Sequence, residues 1–187
     1  TYTGAQYLRE ELLQGNSRCW SKLYRRSLIG KLRFQRGLSI GEDMLFLTEL
    51  LGYARKVSEI DYPGYGYYQN AKGAMNRPFT PSYMDQITCW ELARDRILAI
   101  DSTLEAKVTS ILIMGIMLTV GKLAMLPAAD RRKNAQYIQI CRDKLKQELQ
   151  VSGAYELLSG GYRLKAKLFA AAPGLYLYGY HFRKYKD

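Results

Sequence analysis

Two adjacent carboxylates, Glu42 and Asp43, close a glycine-containing loop and open the apolar run Met44-Leu45-Phe46-Leu47. A carboxylate at a loop–helix junction can rest one oxygen on backbone N–H groups and turn the other toward a cleft. Held that way, it can take the proton of a hydroxyl as that hydroxyl attacks an electrophile. The same pair also fits a plainer role, as solvated acids that stabilise a helix start through the macrodipole. Upstream, the run Cys19-Trp20-Ser21-Lys22-Leu23-Tyr24-Arg25-Arg26 joins aromatic rings to cations. Lys22 reads from its neighbours alone as a solvated lysine at the end of an extended segment. Downstream, Tyr62-Pro63-Gly64-Tyr65-Gly66-Tyr67-Tyr68 offers flat rings that can stack on sugars or pack a sheet.

Other chemistry finds less support. Cys19, Cys89 and Cys141 are odd in number and widely spaced, which argues against a disulfide framework and against a zinc site. Each reads as a small buried hydrophobe. His181, the single histidine, has no acidic or cysteine neighbour in sequence and reads as a surface or interface residue. No metal ligand is therefore assigned.

The elements that must position these residues follow from the hydrophobic pattern. A helix is predicted over 1–13, broken by Gly15-Asn16-Ser17. A short strand or extended loop follows over 19–24, then a helical turn over 25–32 and a loop over 34–40. A helix opens at Glu42, and its apolar positions cover most of its circumference, so it should be buried on nearly all sides. Two short strands are predicted over 57–68, and a loop over 69–81. Helices follow over 82–100 (inner face Tyr83, Ile87, Trp90, Leu92, Ile97, Leu98), over 102–126 (capped at Ser102) and over 129–149 (inner face Tyr137, Ile140, Cys141, Leu145, Leu149). A turn over 155–158 leads to two basic, aromatic helices over 163–172 and 173–185. The expected class is mainly α (α+β), with residues 1–80 mixed and residues 81–187 a helical domain ending in a basic aromatic tail.

Composition narrows the partners. The chain has 187 residues, 48% hydrophobic and 24% charged, which excludes a disordered polymer. Its net charge of +11 favours anionic partners. No acid lies between Glu156 and Asp187, whereas Arg163, Lys165, Lys167, Arg183, Lys184 and Lys186 all do. That tail reads either as a membrane-surface element or as a docked helix displaying lysines. The most apolar stretch, 108–121, is shorter than the roughly 20 residues a bilayer core requires, so a buried helix is predicted there. The chain starts at Thr1 without an initiator Met or a signal-like segment, and is expected to be a piece of a longer or processed protein from a reducing cytoplasm.

Taken together, Trp20-Ser21-Lys22-Leu23-Tyr24-Arg25, Arg33-Phe34, Glu42-Asp43-Met44-Leu45-Phe46 and Tyr65-Gly66-Tyr67-Tyr68 resemble the C-terminal part of a family 2 glycosyltransferase of the GT-A kind. The resemblance covers about residues 17–75. It implies that residues 1–80 are the acceptor side of a GT-A α/β domain, with Asp43 as catalytic base and Glu42 supporting the acceptor. Trp20, Lys22 and Tyr24 would bind substrate at the donor–acceptor cleft. It also implies a nucleotide-sugar donor, a glycan or lipid-linked acceptor and a divalent metal, Mg²⁺ or Mn²⁺, in the full-length enzyme. The family's Asp-x-Asp motif for that metal does not occur here, and Gly73-Ala74-Met75 stands where a serine is common. The expected location is cytoplasmic, with peripheral contact on the inner membrane face through the tail. The alternative is a non-catalytic basic helical module for anionic membrane or nucleic acid. Nucleic acid is disfavoured, because no zinc-finger spacing or glycine-rich RNA motif is present.

Overall fold

Thr3 starts helix α1 (Gly4–Glu10) with a capping box: its hydroxyl accepts the Gln6 N–H, and the Gln6 side chain accepts the Thr3 N–H. These coordinates come from a computed structural model, which describes residues 1–68, 73 and 77–185. The described residues are 62% helical with almost no strand, so the fold is mainly α. A 3-10 turn, Leu12–Gln14, completes the first helical segment and ends at Gly15, whose φ of 115° suits glycine. The predicted single turn is α2 (Arg26–Ile29), and α3 (Glu42–Leu51) carries the acidic pair in its first turn. Seven of the ten α3 residues are buried, the all-round burial that the apolar run requires.

The strands expected over 57–68 are not formed. Among the described residues the β structure is one antiparallel bridge, in which Tyr2 and Val57 exchange both backbone hydrogen bonds at 2.8 Å. Pro63 has no N–H for a ladder, and the Tyr62 and Gly64 N–H groups donate two residues back, to Ile60 and Tyr62, closing tight turns instead. An isolated hairpin without a neighbouring strand is marginal in any case. Residues 19–24 are an extended loop, turned at Ser21 (φ 61°). The loop expected over 69–81 lies largely outside the described residues.

A 3-10 turn, Pro81–Met84, leads into α4 (Asp85–Ile100), and a second, Ser102–Leu104, leads into α5 (Glu105–Ala124). The cap before α5 is Asp101 rather than the expected Ser102, its carboxylate accepting the Thr103 N–H at 3.0 Å. Pro127 ends this segment as predicted. The helix predicted over 129–149 divides into α6 (Ala128–Lys133) and α7 (Ala135–Glu148). The break is at Asn134, whose side-chain amide donates to the Asp130 carbonyl at 2.9 Å and whose ψ of 16° leaves the helical region. Helices α8 (Gly160–Ala171) and α9 (Pro173–Tyr185) complete the chain.

Helix α5 is the axis, with thirteen of its twenty residues buried against α4, α7, α8 and α9. By length and composition Ser102–Ala124 is apolar enough to cross a membrane, a longer segment than the 108–121 run, and 67% of its apolar window is buried inside the protein. Two cores lie along the axis. One joins Leu8, Leu12, Leu45 and Leu47 to Cys89, Ala93, Ile97 and Val108; the other joins Ile87, Leu112, Ile116 and Leu145 to Phe169 and Tyr176. Trp90 touches both.

The predicted inner faces are partly corrected. Leu92 of α4 and Ile140 of α7 are exposed, and Cys89 and Ala93 are buried. Helix α4 meets α3 and α5 on different sides, so its buried stripe is set by two neighbours rather than by its largest side chains. Ion pairs Arg94–Glu148 and Lys144–Glu91 tie α4 to α7, and Arg96–Glu49 ties it to α3.

Candidate active site

Helix α4 fixes the start of α3. Gly41 precedes Glu42 with φ 92° and lies so close to α4 that a Cβ there would stand 3.0 Å from the Cys89 Cβ. Two residues earlier, the Ser39 N–H donates to the Asp85 carboxylate at 2.9 Å. The acidic pair therefore sits on a helix end anchored by a second helix.

The 19–24 loop closes onto that end. The Cys19 N–H donates to Asp43 Oδ2 at 3.3 Å, the Cys19 thiol approaches the Asp43 carbonyl at 3.4 Å, and the Tyr24 hydroxyl donates to the Cys19 carbonyl at 2.9 Å. Burial, and then the Asp43 charge, push the Cys19 thiol up to about 11. Burial likewise raises the Tyr24 hydroxyl above its ordinary value. Burial, followed by the charge of Glu42, pushes Cys89 up to about 12. Of these, Cys19 and Tyr24 belong to the loop, and both stay protonated at neutral pH beside the Asp43 carboxylate.

One residue further along, Trp20 is stacked on Tyr65 (5.2 Å between ring centroids) and Tyr67 (4.8 Å), with the Arg18 guanidinium 5.6 Å from its ring. Tyr65 and Tyr67 reach the same ring because residues two apart in an extended chain share a side. Lys22 donates to Asn16 Oδ1 at 2.6 Å, and burial lowers its pKa below that of a free lysine. Tyr24 meets Phe46 edge-on at 6.4 Å, and Phe34 stacks on Phe46 at 4.5 Å. All four quoted motifs thus converge on one region.

Trp20, Lys22 and Tyr24 line a cleft of about 1720 Å³, together with Arg55, Glu59 and Tyr65. Glu42 and Asp43 are not part of its wall; Asp43 joins it only through Cys19, next to Trp20. Sequence reasoning missed Asn16 and Arg18, which hold Lys22 and Trp20, and assigned Cys19 no contact with Asp43. Asn16 sits in the Gly15-Asn16-Ser17 break, a local cue to a turn that says nothing of its long-range partner. Among the described residues no group of three or more His, Cys, Asp or Glu side chains could hold a metal ion. No protein-family model, curated protein or solved structure matches this chain.

Proposed function

We propose that this chain is the C-terminal, acceptor-side portion of a glycosyltransferase of the family 2 type, moving a sugar from a nucleotide-sugar donor to an acceptor hydroxyl in cell-surface polysaccharide or glycan synthesis. One observation carries the reading: the Cys19–Asp43 hydrogen bond joins the Trp-Ser-Lys-Leu-Tyr-Arg segment to the start of the Glu-Asp helix, two motifs far apart in sequence. In the proposed reaction the acceptor oxygen attacks the anomeric carbon, the bond from that carbon to the diphosphate oxygen breaks, and Asp43 receives the hydroxyl proton. The nucleoside diphosphate leaves with the bonding electron pair, and the anomeric centre inverts. Glu42 supports the acceptor, Trp20 and Tyr24 form part of the wall of the cleft that receives substrate, and Lys22 offsets charge on the leaving group.

The cleft supports the view that more protein belongs on this side. Its volume of about 1720 Å³ exceeds the roughly 300–1000 Å³ of small-molecule sites, and Leu23, Ile60 and Tyr62 on its wall are exposed. A nucleotide-binding half seated there would cover them and bring a donor to Trp20 and Lys22. The Mg²⁺ or Mn²⁺ of such an enzyme finds no ligand set among the described residues, so no residue here is assigned to it.

The test is nucleoside diphosphate release from a panel of nucleotide sugars, using the chain joined to the coding sequence upstream of Thr1. Release that Asp43→Asn abolishes, with the fold retained, supports the assignment. Equal release by both proteins removes Asp43 from the mechanism. The chain alone should not turn over a nucleotide sugar.

A further inference from the structure

Helices α8 and α9 dock on α5 through Ala166, Phe169, Tyr176 and Leu177, and His181 Nδ1 lies 2.9 Å from the Ala124 carbonyl at the end of α5. That docking leaves the opposite side of both helices unexplained. On α8, Leu164 is 70% exposed and Leu168 follows one turn later; on α9, Leu175 is 64% and Tyr178 66% exposed, with Phe182 next on the same side. Spacings of three and four place each set in a single row on its helix. Both inner faces meet the same core, so both rows point away from α5.

Cations border the rows. Arg163 and Lys167 fall beside Leu164 on the helical wheel, and Arg183 falls beside Leu175 and Phe182. The Lys167 ammonium lies 4.7 Å from the ring of Tyr155, in the turn that precedes α8. No carboxylate side chain occurs from residue 157 to residue 186 to oppose an anionic surface.

We infer that the outward face of α8 and α9 is a docking surface for an anionic lipid bilayer. An aliphatic and aromatic row with a basic border is the pattern of a helix lying in the interface plane, its rings at headgroup depth and its lysines and arginines reaching phosphate. Charge alone would serve a nucleic acid equally well, but a phosphate backbone has no use for Leu164, Leu175 and Phe182. The inference needs neither Asp43 nor the cleft, and stands or falls apart from the catalytic reading.

The test is cosedimentation of the intact chain with phosphatidylcholine vesicles, with and without phosphatidylglycerol. Binding is expected to the anionic vesicles, weakened by added salt. Leu175→Ser with Phe182→Ser should weaken it at least about tenfold, and so should Arg163→Gln with Lys167→Gln. Leu164→Ser on α8 gives a second reading if the α9 pair lowers the melting temperature. The inference is overturned if the parent ignores phosphatidylglycerol vesicles, or if the apolar variants bind as the parent does. It is also overturned if those variants dissolve a dimer of the parent, which would give the face to a second copy, or if a DNA or RNA duplex displaces the vesicles.

Discussion

Asp43 accepts the backbone N–H of Cys19 through Oδ2 at 3.3 Å, across 24 residues of chain. The bond uses one carboxylate oxygen to pin a loop that carries Trp20, Lys22 and Tyr24. Fold and candidate chemistry therefore share one side chain, and substitutions can separate them.

Asparagine keeps an oxygen that can accept the Cys19 N–H, whereas alanine leaves that N–H without its acceptor. Asp43→Asn should therefore lower stability by less than about 1 kcal/mol, and Asp43→Ala by about 1–2 kcal/mol. Both should reduce sugar transfer by the complete enzyme about 10²–10⁴-fold if Asp43 is the base. Urea unfolding of both variants, paired with the release assay, reads the two effects separately.

Two glycines allow helices to meet. A Cβ on Gly4 would lie 2.1 Å from the Leu51 carbonyl oxygen, a backbone atom that cannot swing aside. Gly4→Ala should destabilise by about 3 kcal/mol by forcing α1 away from the end of α3. Gly41→Ala combines a left-handed φ with the Cys89 contact and should cost about 1–3 kcal/mol. Thermal unfolding of each variant checks the values, and a melting temperature equal to the parent's would contradict this packing.

Stability should fall in alkali. Burial pushes the Cys141 and Cys89 thiols up to about 12 and Cys19 up to about 11, from an ordinary 9.0. Between those values the unfolded chain has lost protons that the folded chain keeps, so unfolding is favoured as pH rises. The contribution is fully present below about pH 9 and is lost by about pH 12. Tyr7, raised by burial from 10.0 to about 12, acts in the same direction. Denaturant unfolding from pH 7 upward should show the decline, and Cys141→Ala should make it shallower.

Glu148 is 3% exposed and pairs with Arg94. Arg94→Met would strand a buried carboxylate and should cost about 3 kcal/mol, whereas the double change with Glu148→Met should restore most of it. A double-mutant cycle in urea measures the coupling, and additive losses would show that the pair is not coupled.

Legibility in the sequence followed the range of the forces involved. The start of α3 was readable because Gly41, an acidic first turn and an unbroken apolar run are local signals. So were the turn before Gly30, the stop at Pro127 and the entry to α9 at Pro173. The split at Asn134 was local too, but it depended on a side-chain bond to Asp130 that a helix-compatible sequence does not announce.

The strands over 57–68 failed for a different reason. β-branched and aromatic residues favour extended backbone, but a strand exists only with a partner, and the available pairing was one bridge to Tyr2. Likewise, that α4 buries Cys89 and Ala93 and exposes Leu92 depended on where α3 and α5 lie against it. The sequence by itself determined a mainly helical chain, an acidic helix start and a basic tail, because propensity, capping and charge are properties of neighbouring residues. Only the tertiary structure decided that Cys19 meets Asp43, that Trp20 lies against Tyr65 and Tyr67, and which side of α8 and α9 remains in solvent. Those are contacts between distant segments, fixed by how the helices pack around α5.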